Sequence, residues 1–386
     1  MNVVTSTKEL KDLCHRWIKD EPYITVDTEF VRTKTFYAQL CLVQVGCSEG
    51  AVAIDVLASK LDFTPFFEVL KAKKLIKVFH AGRQDLEIFY QMGKVIPAPI
   101  FDTQVAAMVC GYGESAGYDT LVKSITGHSI DKSQRFTDWC KRPLHDKQIK
   151  YALDDVIYLK DVYLDLKEKL EKNRRIDWLV EEMKVLTSPE TYQNDPEQAW
   201  KRLKARSHNR RFLARVRALA KLREETAQSR NVPRNRVYDD KTLLQLAAHA
   251  PMTPKEFDHA THQARFLRDG KIRNHIIASI KQVEKIKEDD LPSLPQAKSN
   301  GHAPPGSVDL LKVLLKERCH DAGVASKLVA TAADIEEFAK GSRDNCPFLK
   351  GWRYSLFGRH AEALMTGKLS LTLSRKGLVL DGAKKH

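Results

Sequence analysis

Two carboxylates with one residue between them, Asp27 and Glu29, stand in the strand-type run "YITVDTEFVR", which has no lysine or arginine ahead of its final residue, Arg32. Successive side chains on a strand alternate faces, so both carboxylates project to one face while Val26, Thr28 and Phe30 project to the other. Such like charges repel. They are tolerated against water, or where a divalent cation or a shared proton offsets them. Three further stretches carry groups able to join a site. "VFHAGRQDLEIF" places Asp85 in the first turn of a helix that follows a strand, "PIFDTQVAAMV" offers Asp102 at a helix N-cap, and "YALDDV" sets Tyr151 and Asp155 four residues apart on one helical face. Each has a plain structural alternative: acids stabilise helix N-termini, a tyrosine can be half-buried with a wet hydroxyl, and an Asp-x-Glu can be a solvated strand edge. Taken jointly, the structural alternatives weaken.

The elements that must position these groups alternate from residue 1 to about 175 between strand-like and helix-like segments. "YITVDTE", "AQLCLVQVG", "AVAIDV" and "LIKVFH" read as strands, the first three close enough in sequence to be antiparallel neighbours. "YALDDVIYLKDVYLDLKEKL" reads as one helix, with Ala152, Val156, Leu159, Tyr163, Leu166 and Leu170 as its apolar stripe. An α/β domain with a mixed sheet follows. After residue 200 the strand signal nearly disappears, and helical patterns fall at 209–229, 241–249 and 271–287. "DDLPSLPQAKSNGHAPPGSVD" reads as a linker, and a second helical stretch runs from about 308 to 368.

A chain of 386 residues is long enough for two or three domains, and 42% apolar with 30% charged residues is the balance of a soluble globular protein. The N-terminus shows no secretory pattern and no apolar run approaches the roughly 20 residues of a membrane span, so a cytoplasmic location is expected. Seven scattered cysteines without a Cys-x-x-Cys pair argue for reduced thiols rather than zinc. The formal net charge is +14, and residues 196–285 alone carry about +12. Positive charge concentrated in one segment suits a polyanionic partner.

A same-face Asp-x-Glu, a later Asp and a final Tyr-x-x-x-Asp, in this order and spacing, resemble the tyrosine version of the DEDD-type 3′–5′ exonucleases. "VDTEF", "HAGRQDLEIF" and "YALDDVIYL" are similar to the three exonuclease motifs of the ribonuclease D family, and the likeness extends over essentially the whole chain. The helical segments that follow, beginning with "RFLARVRALAKLREETAQSRNVPRNRVYDDKTLLQLA", resemble the paired helicase-and-RNase-D C-terminal (HRDC) domains, the second being more divergent. The resemblance implies a ribonuclease H-like α/β exonuclease domain at 1–175 and a first all-α HRDC domain at 205–288. It further implies a linker at 289–307 and a second, HRDC-like domain at 308–380.

The implied activity is metal-dependent 3′–5′ exoribonuclease action on the 3′ ends of precursor tRNA and other small structured RNAs, releasing 5′-mononucleotides. Neither a membrane nor an obligate protein partner is implied. In-line attack on a phosphodiester requires stabilising the entering and leaving oxygens, which two divalent ions about 4 Å apart can do, and Mg²⁺ or Mn²⁺ want oxygen ligands. By motif match Asp27, Glu29, Asp85 and Asp155 would hold the ions and Glu29 would touch the terminal 3′-hydroxyl. Tyr151 would orient the attacking water, since a phenol of pKa near 10 is a poor base at neutral pH. Asp154 is near Tyr151 too, but the motif spacing selects Asp155. Lys201, Arg202, Lys204, Arg206, Arg210, Arg211, Arg215 and Arg217 are the expected RNA contacts.

Other signals carry less. His145 is followed five residues on by Lys150, so the histidine version of the third motif fails there, and His80 reads as structural. "GYGESA" fits a dinucleotide fingerprint only formally, because it follows a helix pattern and opens no βαβ unit. Trp352, Tyr354 and Phe357 read as helical core rather than as base-stacking aromatics. Two alternatives remain at this level. One is a DNA-directed exonuclease of the same superfamily, since carboxylates are indifferent to the sugar; the other is a nucleic-acid-binding protein with an inert nuclease domain, which would require a lost ligand.

Overall fold

The computed structural model describes residues 3–205, 209–260, 270–293, 301–344, 346–375 and 377–382. By packing, they fall into two units, one within the spans 1–29, 41–188 and 297–386 and the other within 30–40 and 189–296.

The first unit is built on a sheet of β1 (Val3–Val4), β2 (Tyr23–Val31), β3 (Gln39–Cys47), β4 (Gly50–Ile54), β5 (Ile76–Phe79) and β6 (Ile100–Asp102), in the order β1-β4-β3-β2-β5-β6. β3 and β4 are antiparallel, whereas β2, β5 and β6 run parallel with Tyr23 opposite Ile76 and Lys77 opposite Ile100. The sheet is therefore mixed. Between these strands lie α1 (Thr7–Asp20), α2 (Thr64–Lys71) and α3 (Arg83–Gly93); after β6 come α4 (Thr103–Val109), α5 (Tyr118–Thr126), α6 (Asp146–Ile157), α7 (Leu159–Lys172) and α8 (Ile176–Leu186). The crevice beyond the carboxyl ends of parallel strands is where such sheets bind ligands. Here the end of β2 carries Asp27 and Glu29, the turn after β5 leads to Asp85, and β6 ends in Asp102.

The stripe from Ala152 to Leu170 is buried throughout, but it belongs to two helices rather than one, with the break at Tyr158. At that break the Val156 carbonyl accepts a hydrogen bond from the Thr25 hydroxyl, 2.8 Å away, so the sheet satisfies a carbonyl at the end of α6. A glycine makes the approach possible, because a Cβ at Gly46 would stand 2.3 Å from Thr25 Oγ1 and 3.0 Å from the Val156 oxygen. β1 and β6, two and three residues long, are too short for periodicity to reveal.

In the second unit, α9 (Arg210–Ser229), α10 (Arg234–Val237), α11 (Asp240–His249), α12 (Pro254–Ala260) and α13 (Gly270–Glu284) enclose Val216, Leu219, Leu246, Phe257, Ile276 and Ile280. Asn209 and Asp239 cap α9 and α11 by accepting from the backbone N–H of Phe212 and Thr242. Buried Glu224 is held by Arg202 and Arg234, at 3.2 and 2.5 Å.

The C-terminal part of the first unit contains α14 (Ser307–Ala322), α15 (Ser326–Val329), α16 (Ala332–Ala339), α17 (Gly351–Arg353) and α18 (Arg359–Met365) around Leu311, Leu314, Phe338, Phe348 and Phe357. It packs on α8: Trp352 stacks on Trp178 with ring centroids 4.4 Å apart, and Arg353 reaches Glu182 at 2.6 Å. Trp352 and Phe357 are core, while Tyr354 is partly exposed with its hydroxyl on Glu362. One addition to the expected helices is an antiparallel hairpin, β7 (Ser370–Ser374) with β8 (Gly377–Asp381). Its alternating "SLTLS" and "GLVLD" are legible as strands once sought.

Candidate active site

Strand alternation sends Thr25, Asp27 and Glu29 to one face of β2, and the Thr25–Val156 hydrogen bond clamps α6 across that face. The residue before Val156 is Asp155. Carboxylate oxygens of Asp27, Glu29 and Asp155 consequently lie within 4.8 Å of one another, the one such acidic group among the described residues. Tyr151, one turn earlier on α6, lines the same cavity as Asp155, and its hydroxyl favours the ionised form of that acid. Its ring lies 6.1 Å from that of buried Trp139.

Asp85 is buried beside this group but outside the close trio, and it accepts a hydrogen bond from the Thr28 hydroxyl. Asp102 has a different part. Its carboxylate caps α4 through the N–H of Gln104 and Val105, and it also accepts from the N–H of Ala81 and Gly82, at 3.1 and 2.9 Å. It thereby pins the turn in which Ala81 adopts φ 54°, just ahead of Asp85. Asp154 pairs with Lys150 at 2.5 Å, and its carbonyl accepts from the Tyr118 hydroxyl at 2.9 Å.

The electrostatics are those of anions crowded out of water. Burial, then the charge of Asp155, holds the Asp27 carboxyl well above the carboxylate range. Burial followed by Asp27, Asp155 and Asp85 pushes Glu29 up to about 10, and Arg135 opposes the shift. Asp155 rises to about 7 through burial, with the Tyr151 hydroxyl and Arg135 pulling the other way. Asp85 is raised by burial and Asp27, against the Thr28 hydrogen bond. Burial and the neighbouring carboxylates also raise the Tyr151 hydroxyl. A hard divalent cation with oxygen preference is the group such a donor set fits, because it offsets the mutual repulsion that leaves these carboxyls reluctant to ionise.

The group opens on a cavity of about 350 Å³ whose walls include Asp27, Tyr151, Asp155, His80, Tyr118, Lys132 and Arg135. Sequence reasoning missed Tyr118, Lys132 and Arg135, which belong to no motif. His80 serves the structure, its Nδ1 lying 2.9 Å from Thr103 Oγ1, and it is also part of the cavity wall. His145 is the N-cap of α6 in a capping box with Gln148.

The basic residues divide. Lys201, Arg202 and Lys204 are exposed, and Arg202 touches Glu224 and Asn194. Arg210 donates to the carbonyls of Asp289, Leu291 and Pro292, Arg211 to those of Val283, Glu284 and Ile286, and Arg215 to Glu284 and the Ala247 carbonyl. The Arg217 guanidinium stacks 4.2 Å from the Trp200 ring. These four fasten their own unit. Arg206 lies outside the described residues.

Residues 1–171 match the 3′-5′ exonuclease family and residues 212–262 the HRDC domain. Ribonuclease D of Granulibacter bethesdensis is 43% identical over 379 residues, covering 98% of this chain and 96% of its own. Ribonuclease D of Jannaschia sp. is 44% identical over 374 residues, covering 96% of each chain. Among solved structures, Escherichia coli RNase D, described as an exoribonuclease involved in structured RNA processing, superposes with a TM-score of 0.81 at 28% identity, covering 95% of this chain and 99% of that one. The catalytic core of RRP6 from Trypanosoma brucei shares the fold, with a TM-score of 0.56 at 19% identity over 73% of this chain and 79% of its own. No helix among the described residues is long and apolar enough to cross a membrane.

Proposed function

Since the chain belongs to the ribonuclease D family and is a 3′–5′ exoribonuclease, we propose that it trims the 3′ ends of precursor tRNA and other small structured RNAs in the cytoplasm, releasing 5′-mononucleotides. The observation that carries this is the gathering of Asp27, Glu29 and Asp155 beside Tyr151 at one cavity. In this reading Asp27, Glu29, Asp85 and Asp155 hold two divalent cations, Mg²⁺ or Mn²⁺. Bound there, the ions supply charge to offset that of the entering and leaving oxygens at the scissile phosphate.

The remaining work falls to the chain itself. Tyr151, its hydroxyl raised by burial and anions, stays protonated at neutral pH and orients the attacking water through a hydrogen bond rather than acting as a base. Glu29 meets the terminal 3′-hydroxyl. Arg135, whose charge is felt at Glu29 and Asp155, steers the phosphate backbone into the cavity. The family's structured-RNA relative supports a folded substrate, whose body the catalytic centre alone does not grip. We assign that grip to exposed Lys201, Arg202 and Lys204 beside a first HRDC domain at 205–288, and read 308–380 as a second, divergent HRDC-like domain on the support of its separate apolar core.

The test is purified full-length protein on 5′-labelled precursor tRNA, with and without Mg²⁺ or Mn²⁺. Stepwise shortening from the 3′ end that needs the ion and stalls on a 3′-phosphate is the expected result. Faster degradation of the matching DNA would move the substrate to the DNA-directed alternative, and cuts within a circular RNA would overturn the terminal mechanism.

A further inference from the structure

A lone exposed apolar side chain usually needs no explanation. Phe136, 90% exposed in the segment between α5 and α6, differs in its surroundings. The Arg135 guanidinium carbon lies 5.3 Å from its ring centre, and Arg135 is itself part of the cavity wall with Asp27, Tyr151 and Asp155. Lys132, from the same segment, lines the wall too and pairs with Asp119 at 2.8 Å. The ring therefore stands beside Arg135, a cation of the acidic cavity's wall, with Lys132 earlier in the same segment.

Its backbone is tethered on both sides. Before it, Lys132 pairs with Asp119 of α5 at 2.8 Å, and Ser133 closes a local turn by donating from its N–H and hydroxyl to Asp131, at 2.8 and 3.1 Å. After it, Gln148 Nε2 donates to Thr137 Oγ1 at 3.0 Å, and Trp139 is buried against Tyr151. A ring held outward by a fastened segment loses little freedom when something settles on it, which favours binding. What fits a flat apolar face flanked by positive charge is a nucleobase with its phosphates: the base stacks on the ring, and the cations meet the backbone on either side.

We propose that Phe136 is a stacking platform for an unpaired base of the RNA strand, upstream of the nucleotide being removed, with Arg135 and Lys132 beside the adjoining phosphates. The proposal rests on the reading that the strand's 3′ end enters this cavity. It assigns a preference for substrates with a single-stranded 3′ tail several nucleotides long, read without regard to base identity, because every base has a stacking face.

The experiment measures KM and kcat on unstructured di-, tetra- and octaribonucleotides for the wild type and for Phe136→Ala, Phe136→Leu and Phe136→Trp; the exposed ring makes all three compatible with the fold. Phe136→Ala should raise KM about tenfold on the octamer, the size of one lost base–aromatic stack, with a smaller change in kcat. The penalty should shrink with each shortening, Phe136→Trp should restore KM, and Phe136→Leu should behave as alanine does. A KM for Phe136→Ala equal to wild type at every length, or leucine as effective as tryptophan, overturns the platform. If the wild type shortens none of the oligonucleotides, the reading of the cavity has failed instead, so the two failures are distinguishable.

Discussion

Thr28 donates its hydroxyl to the carboxylate of Asp85, so the residue between Asp27 and Glu29, turned to the opposite face of β2, positions an acid that follows β5. One strand thus presents two carboxylates directly and orients another through the side chain between them. Replacing Thr28 with valine keeps the shape and removes the donor. The variant should fold and should need about tenfold more Mg²⁺ or Mn²⁺ for half-maximal activity, since partners of metal-binding groups typically contribute 10–100-fold in affinity. Titrating activity against ion concentration checks this. An unshifted midpoint would mean that Asp85 needs no help from Thr28.

Tyr151 lies against Trp139, which sets its ring at the cavity wall it shares with Asp155. Tyr151→Phe should retain that packing and RNA affinity while kcat falls about 10²-fold. Because burial and nearby anions raise the hydroxyl pKa, the wild-type rate profile should show no tyrosine limb at or below neutral pH. Equal kcat for the two proteins would return Tyr151 to a packing role.

Metal-free stability should depend on pH with a sign set by the crowded acids. Asp155 rises to about 7 when folded, above the usual aspartate value of about 4, so the folded state holds the proton more tightly. Its contribution is fully present below about pH 4 and is lost as pH rises through about 7. Chelated wild-type protein should therefore melt at a lower temperature near pH 8 than near pH 5. Asp27→Asn removes a buried acid whose ionisation the site opposes, so it should raise the metal-free Tm near pH 8 by about 2–4 °C and abolish hydrolysis at saturating metal. A metal-free Tm that is flat across this range for both proteins would show that the acids do not repel.

The basic segment divides into exposed cations and cations with structural partners, and Arg202, exposed yet paired with buried Glu224, belongs to both. Changing Lys201, Arg202 and Lys204 together to alanine should weaken binding to a precursor tRNA and lower the slope of log K against log salt by up to about 0.9 per lost phosphate contact. Arg211→Ala should instead lower Tm, because it leaves the carbonyls of Val283, Glu284 and Ile286 without their donor. Identical salt slopes for the triple variant and the wild type would show that those three side chains do not contact phosphate.

Local pattern was enough for much of this protein. Strands β2 to β5 and helices α9, α11 and α13 follow from alternation and helical spacing, because side-chain direction along an element depends only on the element. The order Asp27, Glu29, Asp85, Tyr151, Asp155 pointed to metal-dependent exonuclease chemistry because residue type and spacing are properties of the chain. Tertiary structure decided the rest. The Thr25–Val156 hydrogen bond joins residues 131 apart in sequence, and with the approach allowed at Gly46 it brings Asp155 to Asp27. The same folding broke the long helix at Tyr158, gave Asp85 its partner in Thr28, and turned Arg210, Arg211 and Arg215 onto carbonyls of their own unit. It also carried Lys132 and Arg135, which no motif marks, to the cavity that the motif residues line. Composition records how many charges a segment has; whether an arginine meets solvent or a carbonyl depends on which surfaces close against each other when distant parts of the chain pack.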